Sequence, residues 1–118
     1  MDRFRPQSFL PLTPVAFEIL LALADGERHG YSIMREVERR SSGAVSLHPG
    51  TLYRALARLL ESGWIAELDA RPDAGNDDER RRYYQLTERG IAVARAEAER
   101  MASQLSAARE RKLLGVRA

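Results

Sequence analysis

The sequence has no cysteine, and among its 118 residues it has one tryptophan and one lysine. Without cysteine the chain cannot hold a disulfide, a zinc–thiolate centre or a thiol nucleophile. It also lacks an apolar run of the roughly 18 residues that a membrane-spanning helix needs. Its first twelve residues contain no apolar stretch typical of a signal peptide. We therefore expect a cytoplasmic protein of one domain, or of one domain with an appendage, and no cofactor.

The basic residues are almost all arginine: eighteen of nineteen, with Lys112 as the exception. Arginine is favoured where phosphate or carboxylate is bound by two parallel hydrogen bonds, but a GC-rich genome produces the same bias, and seventeen alanines favour that explanation. The net charge of +2 hides a segregation along the chain. Residues 28–62 carry six Arg against three Glu, whereas residues 63–79 carry one Arg against six acidic side chains.

Capping residues and apolar spacing predict two helices in the first third of the chain. The first should begin at Thr13–Pro14, because threonine is a good N-cap and proline needs no N–H there, and Asp25–Gly26 should end it. The second should run from about His29 to Arg40, with apolar residues at i and i+4. The preceding segment, Met1–Leu12, contains two prolines and is expected to be a loose lead-in.

The third predicted helix has the most regular apolar stripe. It should start at Pro49 and end at Gly63, a residue suited to the left-handed conformation that closes many helices. The short apolar segment Val45–Leu47 before it is typical of a minor strand. Four leucines recur at i, i+4, i+7 and i+8 and should face the core: Leu52, Leu56, Leu59 and Leu60.

After the third helix the pattern becomes that of strands. Trp64–Leu68 and Arg81–Leu86 flank a polar loop that contains glycine, which predicts a β-hairpin. Thr87 should then cap a helix of about 27 residues, or roughly 40 Å, that extends to near Leu114. Three helices and a hairpin in this order are typical of a winged helix-turn-helix. We expect a mainly α fold with a small β-hairpin, divided into a lead-in (1–12), a winged helix-turn-helix domain (13–86) and a long C-terminal helix (87–118).

Four short motifs occur in a specific order along these elements. They are HGYSI at His29–Ile33, PGTLY at Pro49–Tyr53, LLESGWI at Leu59–Ile65 and RYYQLTERG at Arg82–Gly90. In these motifs the chain resembles the PadR family of bacterial transcriptional regulators, and its single long C-terminal helix resembles the short subfamily. The resemblance covers roughly residues 13–100. It implies a homodimeric DNA-binding protein, usually a repressor, in which the third helix is the recognition helix.

The outward face of the third helix carries most candidate DNA contacts. Gly50 lets a phosphate or a groove wall approach the N–H groups at the helix start. Thr51 and Arg54 are candidates for base edges, since arginine can bind guanine O6 and N7 together. Tyr53 and Arg58 suit phosphates. The alternative is that the two arginines only form a solvated helix face.

Further candidate DNA contacts are Tyr31, His48 and the wing residues Arg80, Arg81 and Arg82. Tyr31 either offers its hydroxyl to a phosphate or packs half-buried against the third helix, and His48 either touches DNA or caps that helix. The three arginines suit DNA backbone, although acidic residues occupy positions 73, 77, 78 and 79 just before them. His29 is expected to be a structural hydrogen-bonding residue. Two histidines without a neighbouring carboxylate or cysteine do not make a metal site.

The C-terminal helix is expected to mediate dimerisation, because so small a domain cannot cover a helix of this length. The alternative is that the helix packs only on its own domain. Its apolar residues step by three and four, as in a coiled-coil seam. The large ones should contribute most of the burial. This dimer seam comprises Ile91, Ala94, Ala98, Met101, Leu105 and Ala108.

Together these features predict a dimeric, sequence-specific transcriptional regulator. Its two recognition helices would enter successive major grooves about 34 Å apart on a palindromic operator. We expect a repressor that an effector releases, and no residue identifies that effector. The acidic loop leaves one alternative, a winged-helix module that binds a protein instead of DNA. An enzyme is not expected, because there is no nucleophile–base pair, no paired carboxylates in an apolar setting and no glycine-rich phosphate loop.

Overall fold

The computed structural model of the chain describes residues 3–68 and 82–115. Its secondary structure is mainly helical with a small antiparallel sheet, as predicted. Within these two ranges a short 3-10 helix, Pro6–Phe9, precedes four α-helices: α1 (Pro14–Leu23), α2 (Gly30–Arg40), α3 (Pro49–Ser62) and α4 (Glu88–Glu110). The strands are β1 (Arg28–His29), β2 (Ile65–Leu68) and β3 (Tyr83–Leu86).

The helices begin and end close to the predicted capping residues. The hydroxyl of Thr13 accepts a hydrogen bond of 3.1 Å from the N–H of Ala16 at the start of α1. His29 has the structural role expected of it, since its Nδ1 accepts a hydrogen bond of 3.1 Å from the N–H of Ser32 and so caps α2. Gly63 follows α3 with φ at +81°. Local chemistry therefore fixes the limits of the first three helices.

In the described part of the chain the sheet has three strands rather than the two of the predicted hairpin. β3 lies in the centre and is antiparallel to both neighbours, with Ile65 opposite Leu86 and Arg28 opposite Tyr84. β1 could not be predicted from the sequence, because a strand of two residues is too short to show an alternating pattern of apolar and polar residues. The prediction of a minor strand at Val45–Leu47 is wrong, since these residues form an irregular link.

The core lies between the first three helices, the sheet and the first turns of α4. Tyr84 packs into it with 2 % of its surface exposed, while Tyr83 on the other side of β3 is half-buried. Three of the four predicted leucines of α3 are buried, and Leu60 is half-buried. The large apolar side chains that are almost completely buried are Ile19, Leu20, Leu23, Ile33, Val37, Leu52, Leu56 and Val93.

The described part of the N-terminal segment is not the loose lead-in that was expected. Its 3-10 helix packs on α4. The ring of Phe9 meets Trp64 edge-on at a centroid distance of 5.2 Å, and the guanidinium of Arg89 lies 4.5 Å from the ring centroid of Phe4. The rings of Phe4 and Phe9 therefore hold this segment against the domain, although its prolines and its short length are typical of loose structure.

A buried carboxylate also ties this segment to α4. Glu97 has no exposed surface. It accepts a hydrogen bond of 3.1 Å from the N–H of Leu12 and bonds of 2.6 and 3.0 Å from the guanidinium of Arg100. The bond from Arg100 is the main reason that the pKa of Glu97 lies below its ordinary value of 4.5; burial opposes the effect and Leu12 adds to it. The carboxylate thus stays ionised and fully hydrogen-bonded inside the fold.

Candidate nucleic-acid interface

The predicted contact residues of α3 lie together on the outer side of that helix. Its leucines at 52, 56 and 59 point into the core, and this turns the opposite face outward. Along that face Thr51 is half-buried, and the others are exposed: Gly50, Tyr53, Arg54 and Arg58.

Arg54 and Arg58, one helical turn apart, border a shallow cleft beside the first turn of α1. The cleft has a volume of about 390 Å³, and Thr13, Pro14 and Thr51 also line it. The first turns of α1 and α3 contain no acidic residue, and the N–H groups of a helix start carry partial positive charge. This corner of the molecule therefore concentrates positive potential that attracts anions such as phosphate.

Tyr53 makes a structural contact that the sequence pattern does not reveal. A Cβ atom on Gly30 would lie 2.7 Å from the hydroxyl oxygen of Tyr53. The tyrosine ring therefore packs against the start of α2 in the space that the missing side chain of Gly30 leaves open. The HGYSI and PGTLY motifs thus meet in space. Because 51 % of Tyr53 remains exposed, the contact does not remove it from the outer face. The clue in the sequence is a glycine directly after the residue that caps α2.

Tyr31 and His48 lie at the surface near the starts of α2 and α3. Tyr31 is 54 % exposed and so is not the half-buried residue of the alternative prediction; its ring centroid lies 5.7 Å from the guanidinium carbon of Arg35. His48 occupies the N-cap position of α3 without a side-chain hydrogen bond to the helix. His48 therefore caps α3 by its position and through its carbonyl oxygen, which accepts a hydrogen bond of 2.9 Å from the N–H of Leu52, and its side chain takes no part.

In the wing, Arg82 is the one predicted contact within the described residues. Its side chain is 71 % exposed, and its Nε lies 3.4 Å from Oε2 of Glu67 on β2. Glu67 also acts on Tyr84, which lies on β3 two residues after Arg82. The pKa of Tyr84 is raised mainly because the side chain is buried, and the negative charge of Glu67 raises this pKa further. Arg80, Arg81 and the acidic positions 73, 77, 78 and 79 lie outside the described residues.

A tight corner fixes the start of α4 to the end of α3. The N–H of Thr87 donates to the carbonyl oxygen of Trp64 at 3.1 Å, and the Thr87 hydroxyl donates to the carbonyl oxygen of Gly63 at 2.6 Å. Gly90 passes directly over this corner, since a Cβ there would lie 1.9 Å from the Trp64 oxygen. The third and fourth motifs thus meet here, and backbone contacts set the direction in which α4 leaves the domain.

The predicted dimer seam is largely exposed in the single chain. α4 buries Gly90, Val93, Ala96 and Glu97. The seam residues follow the buried residues by about one position, which turns the seam about 100° around the helix from the buried face. The large seam residues Ile91, Met101 and Leu105 have 39, 41 and 42 % of their surface exposed. The prediction that this helix extends to near Leu114 is wrong, because α4 ends at Glu110 and Lys112 has φ at +60°.

Within residues 3–68 and 82–115 no group of three or more His, Asp or Glu side chains is placed to hold a metal ion. No helix in these ranges has the length and apolar character needed to cross a membrane.

Several solved structures share this architecture. A PadR family transcription regulator from Clostridium difficile superposes on this chain with a TM-score of 0.71 at 21 % sequence identity. The match covers 83 % of this chain and 97 % of the regulator. RosR of H. salinarum has a TM-score of 0.66 at 25 % identity, with coverage of 81 and 79 %. Bacillus subtilis PadR in complex with operator DNA has a TM-score of 0.61 at 22 % identity, with coverage of 72 and 46 %.

Sequence comparison agrees with the structural likeness. An uncharacterized 37.1 kDa protein in transposon TN4556 of Streptomyces fradiae is 38 % identical over 84 residues, which are 71 % of this chain. The match spans only 22 % of that longer protein. The sequence model of the transcriptional regulator PadR-like family matches residues 19–96, which include α2, α3, the described strands and the first turns of α4. The chain therefore belongs to the PadR-like family of transcriptional regulators.

Proposed function

We propose that the protein is a homodimeric, sequence-specific DNA-binding repressor that an effector releases from its operator. The observation that carries this proposal is the outer face of α3, where exposed arginines adjoin the positively polarised start of α1. Bacillus subtilis PadR, which shares the fold, was solved with operator DNA. That complex supports DNA as the partner of this chain.

In this proposal α3 enters the major groove with its first half against the bases. Thr51 and Arg54 contact base edges, and the surrounding residues hold the phosphates. Those phosphate contacts are Tyr31, His48, Gly50, Tyr53 and Arg58, with Arg80, Arg81 and Arg82 of the wing on the adjacent backbone. Because arginine–phosphate contacts release counterions, affinity should fall steeply as salt rises.

Two copies would join through the seam on α4, which places two α3 helices on successive major grooves of a palindromic operator. Backbone contacts at Thr87 and Gly90 tie α4 to the end of α3. An effector that shifts the two α4 helices would therefore change the spacing of the two recognition helices and favour release. The protein would act in the cytoplasm, without a cofactor and without catalysis.

The test is a competition gel shift with a fragment selected from the genome of origin and a scrambled fragment of equal length. We expect Arg54→Ala to reduce the preference for the selected fragment by about 10- to 100-fold, because a bidentate base contact is worth about 1–3 kcal/mol of discrimination. Arg82→Ala should weaken binding to both fragments alike. Arg5→Ala removes the same charge outside the proposed interface and should leave the preference unchanged.

Equal loss on both fragments for Arg54→Ala would contradict base reading by α3. If the native chain shifts no DNA yet binds a protein with little dependence on salt, the winged-helix interaction module is the better account.

A further inference from the structure

The first turn of α2 lies between α3 and the wing strand β3. α2 follows β1 directly, and β1 pairs with β3 so that His29 is opposite Tyr83. Tyr53 of α3 packs against Gly30, the first residue of α2. In the proposed complex α3 fills the major groove and Arg82 of the wing meets the adjacent backbone. The DNA backbone between these two contacts therefore passes over the first turn of α2.

β1 and α2 together carry four arginines, and three of them are bound to carboxylates. Arg39 donates hydrogen bonds of 3.0 and 2.9 Å to the two carboxylate oxygens of Glu36. A guanidinium nitrogen of Arg28 lies 3.8 Å from the same carboxylate, and Arg40 forms an ion pair with Glu18 on α1. The bond from Arg39 is the main reason that the pKa of Glu36 lies below its ordinary value of 4.5, and burial opposes this shift. These three arginines are therefore largely neutralised within the protein.

Arg35 is the fourth arginine and has a different environment. Its side chain is exposed, and it forms no ion pair with a carboxylate in the described part of the chain. Its guanidinium carbon lies 5.7 Å from the ring centroid of Tyr31, which is one helical turn earlier. Long side chains on a helix point toward its N-terminus, and the attraction between a cation and an aromatic ring favours this position. A cation without a counter-ion thus lies beside the first turn of α2.

The surface around this cation is open to a large anion. A shallow cleft of about 750 Å³ extends along the outer face of α2, and Tyr31, Ser32 and Arg35 line it. Tyr31 is 54 % exposed, so its hydroxyl and the guanidinium of Arg35 both face solvent. Glu38 also lines the cleft, but it follows Tyr31 by seven residues, or roughly 10 Å along the helix. The end of the cleft nearest to α3 is therefore its positive end.

We propose that Arg35 is a further contact to DNA phosphate, held in position by the ring of Tyr31. The proposal rests on the proposed DNA-binding function and adds a backbone contact that lies outside the four sequence motifs. Because phosphates carry no sequence information, Arg35 would raise the affinity for every DNA sequence alike and fix the orientation of α2 on the duplex. The three paired arginines would stay with their carboxylates, so that α2 supplies one such charge per chain.

The dependence of binding on salt tests this contact, in gel shifts of the full chain with the selected and the scrambled fragment. Each phosphate contact adds about 0.9 to the slope of log affinity against log salt. With two chains on the selected fragment, Arg35→Ala should make this slope shallower by about 1.8. It should also weaken binding to both fragments alike. Arg35→Gln should behave as Arg35→Ala does, whereas Arg35→Lys keeps the charge and should retain most of the slope.

Arg39→Ala is the matched control, since it removes the same charge one helical turn further along from an arginine that is 72 % exposed but bound to Glu36. It should leave the slope nearly unchanged. Circular dichroism of each variant checks that α2 is folded.

Two results would overturn the assignment of Arg35. One is a slope that neither Arg35→Ala nor Arg35→Gln changes, or that Arg39→Ala changes equally. The other is an altered preference between the two fragments, which would indicate a base contact. Either result, with a native chain that binds the selected fragment and loses affinity steeply as salt rises, leaves the proposed function intact. A native chain that shifts neither fragment overturns the proposed function and the Arg35 contact together.

Discussion

Replacing Gly90 by alanine should lower the free energy of unfolding by about 3 kcal/mol or more. The new Cβ would lie 1.9 Å from the carbonyl oxygen of Trp64, which is backbone and cannot swing aside. At an unhindered position inside a helix the same change raises the free energy of unfolding by up to about 1 kcal/mol. The clash should therefore turn a stabilising substitution into a destabilising one. Urea denaturation followed by circular dichroism measures the difference.

Gly115→Ala is the control for this substitution, since a Cβ on Gly115 meets nothing within 4 Å. It should change the free energy of unfolding by less than about 0.5 kcal/mol. An equally small change in the free energy of unfolding for Gly90→Ala would contradict the close approach of α4 to the Trp64 carbonyl. It would also contradict the proposal that backbone contacts tie α4 to the end of α3.

Leu105→Glu should weaken dimerisation by about 100-fold or more. The substitution places two carboxylates per dimer in an apolar seam, and an unpaired charge that leaves water costs several kcal/mol; 100-fold corresponds to about 2.7 kcal/mol. Binding to a two-site operator should fall with it, because each half-site is then bound separately. Sedimentation equilibrium at fixed salt measures the dimer constant.

Gln104→Glu adds the same charge one residue away, at an exposed position off the seam. It should leave dimerisation nearly unchanged. A dimer constant that both variants shift equally would indicate that net charge, rather than the seam, controls association, and an unchanged constant for Leu105→Glu would remove the seam from the interface.

The predictable parts of the fold are those fixed by neighbours in sequence. Caps and apolar periodicity locate α1, α2 and α3 because Thr13, His29 and Gly63 act on their own helix ends. Contacts between distant residues leave no such trace. The docking of Phe9 on Trp64 and the bond from Leu12 to Glu97 join positions more than 50 residues apart, and local patterns there favour a loose segment.

The candidate interface divides in the same way. The leucine stripe of α3 determines which residues face outward, so Arg54 and Arg58 could be placed from the sequence. The contact of Tyr53 with Gly30 and the approach of Gly90 to Trp64 could not, because each pair belongs to two different motifs. The motifs mark the positions, and only the structure shows that several of them pack against each other.

A hydroxyl-radical footprint on a fragment selected from the genome of origin tests the central claim most directly. We expect two protected patches on one face of the duplex, about 34 Å apart and related by a two-fold axis, with two chains bound per duplex. The contradicting result is a single protected patch, or none at all, for protein that is folded and dimeric under the same conditions.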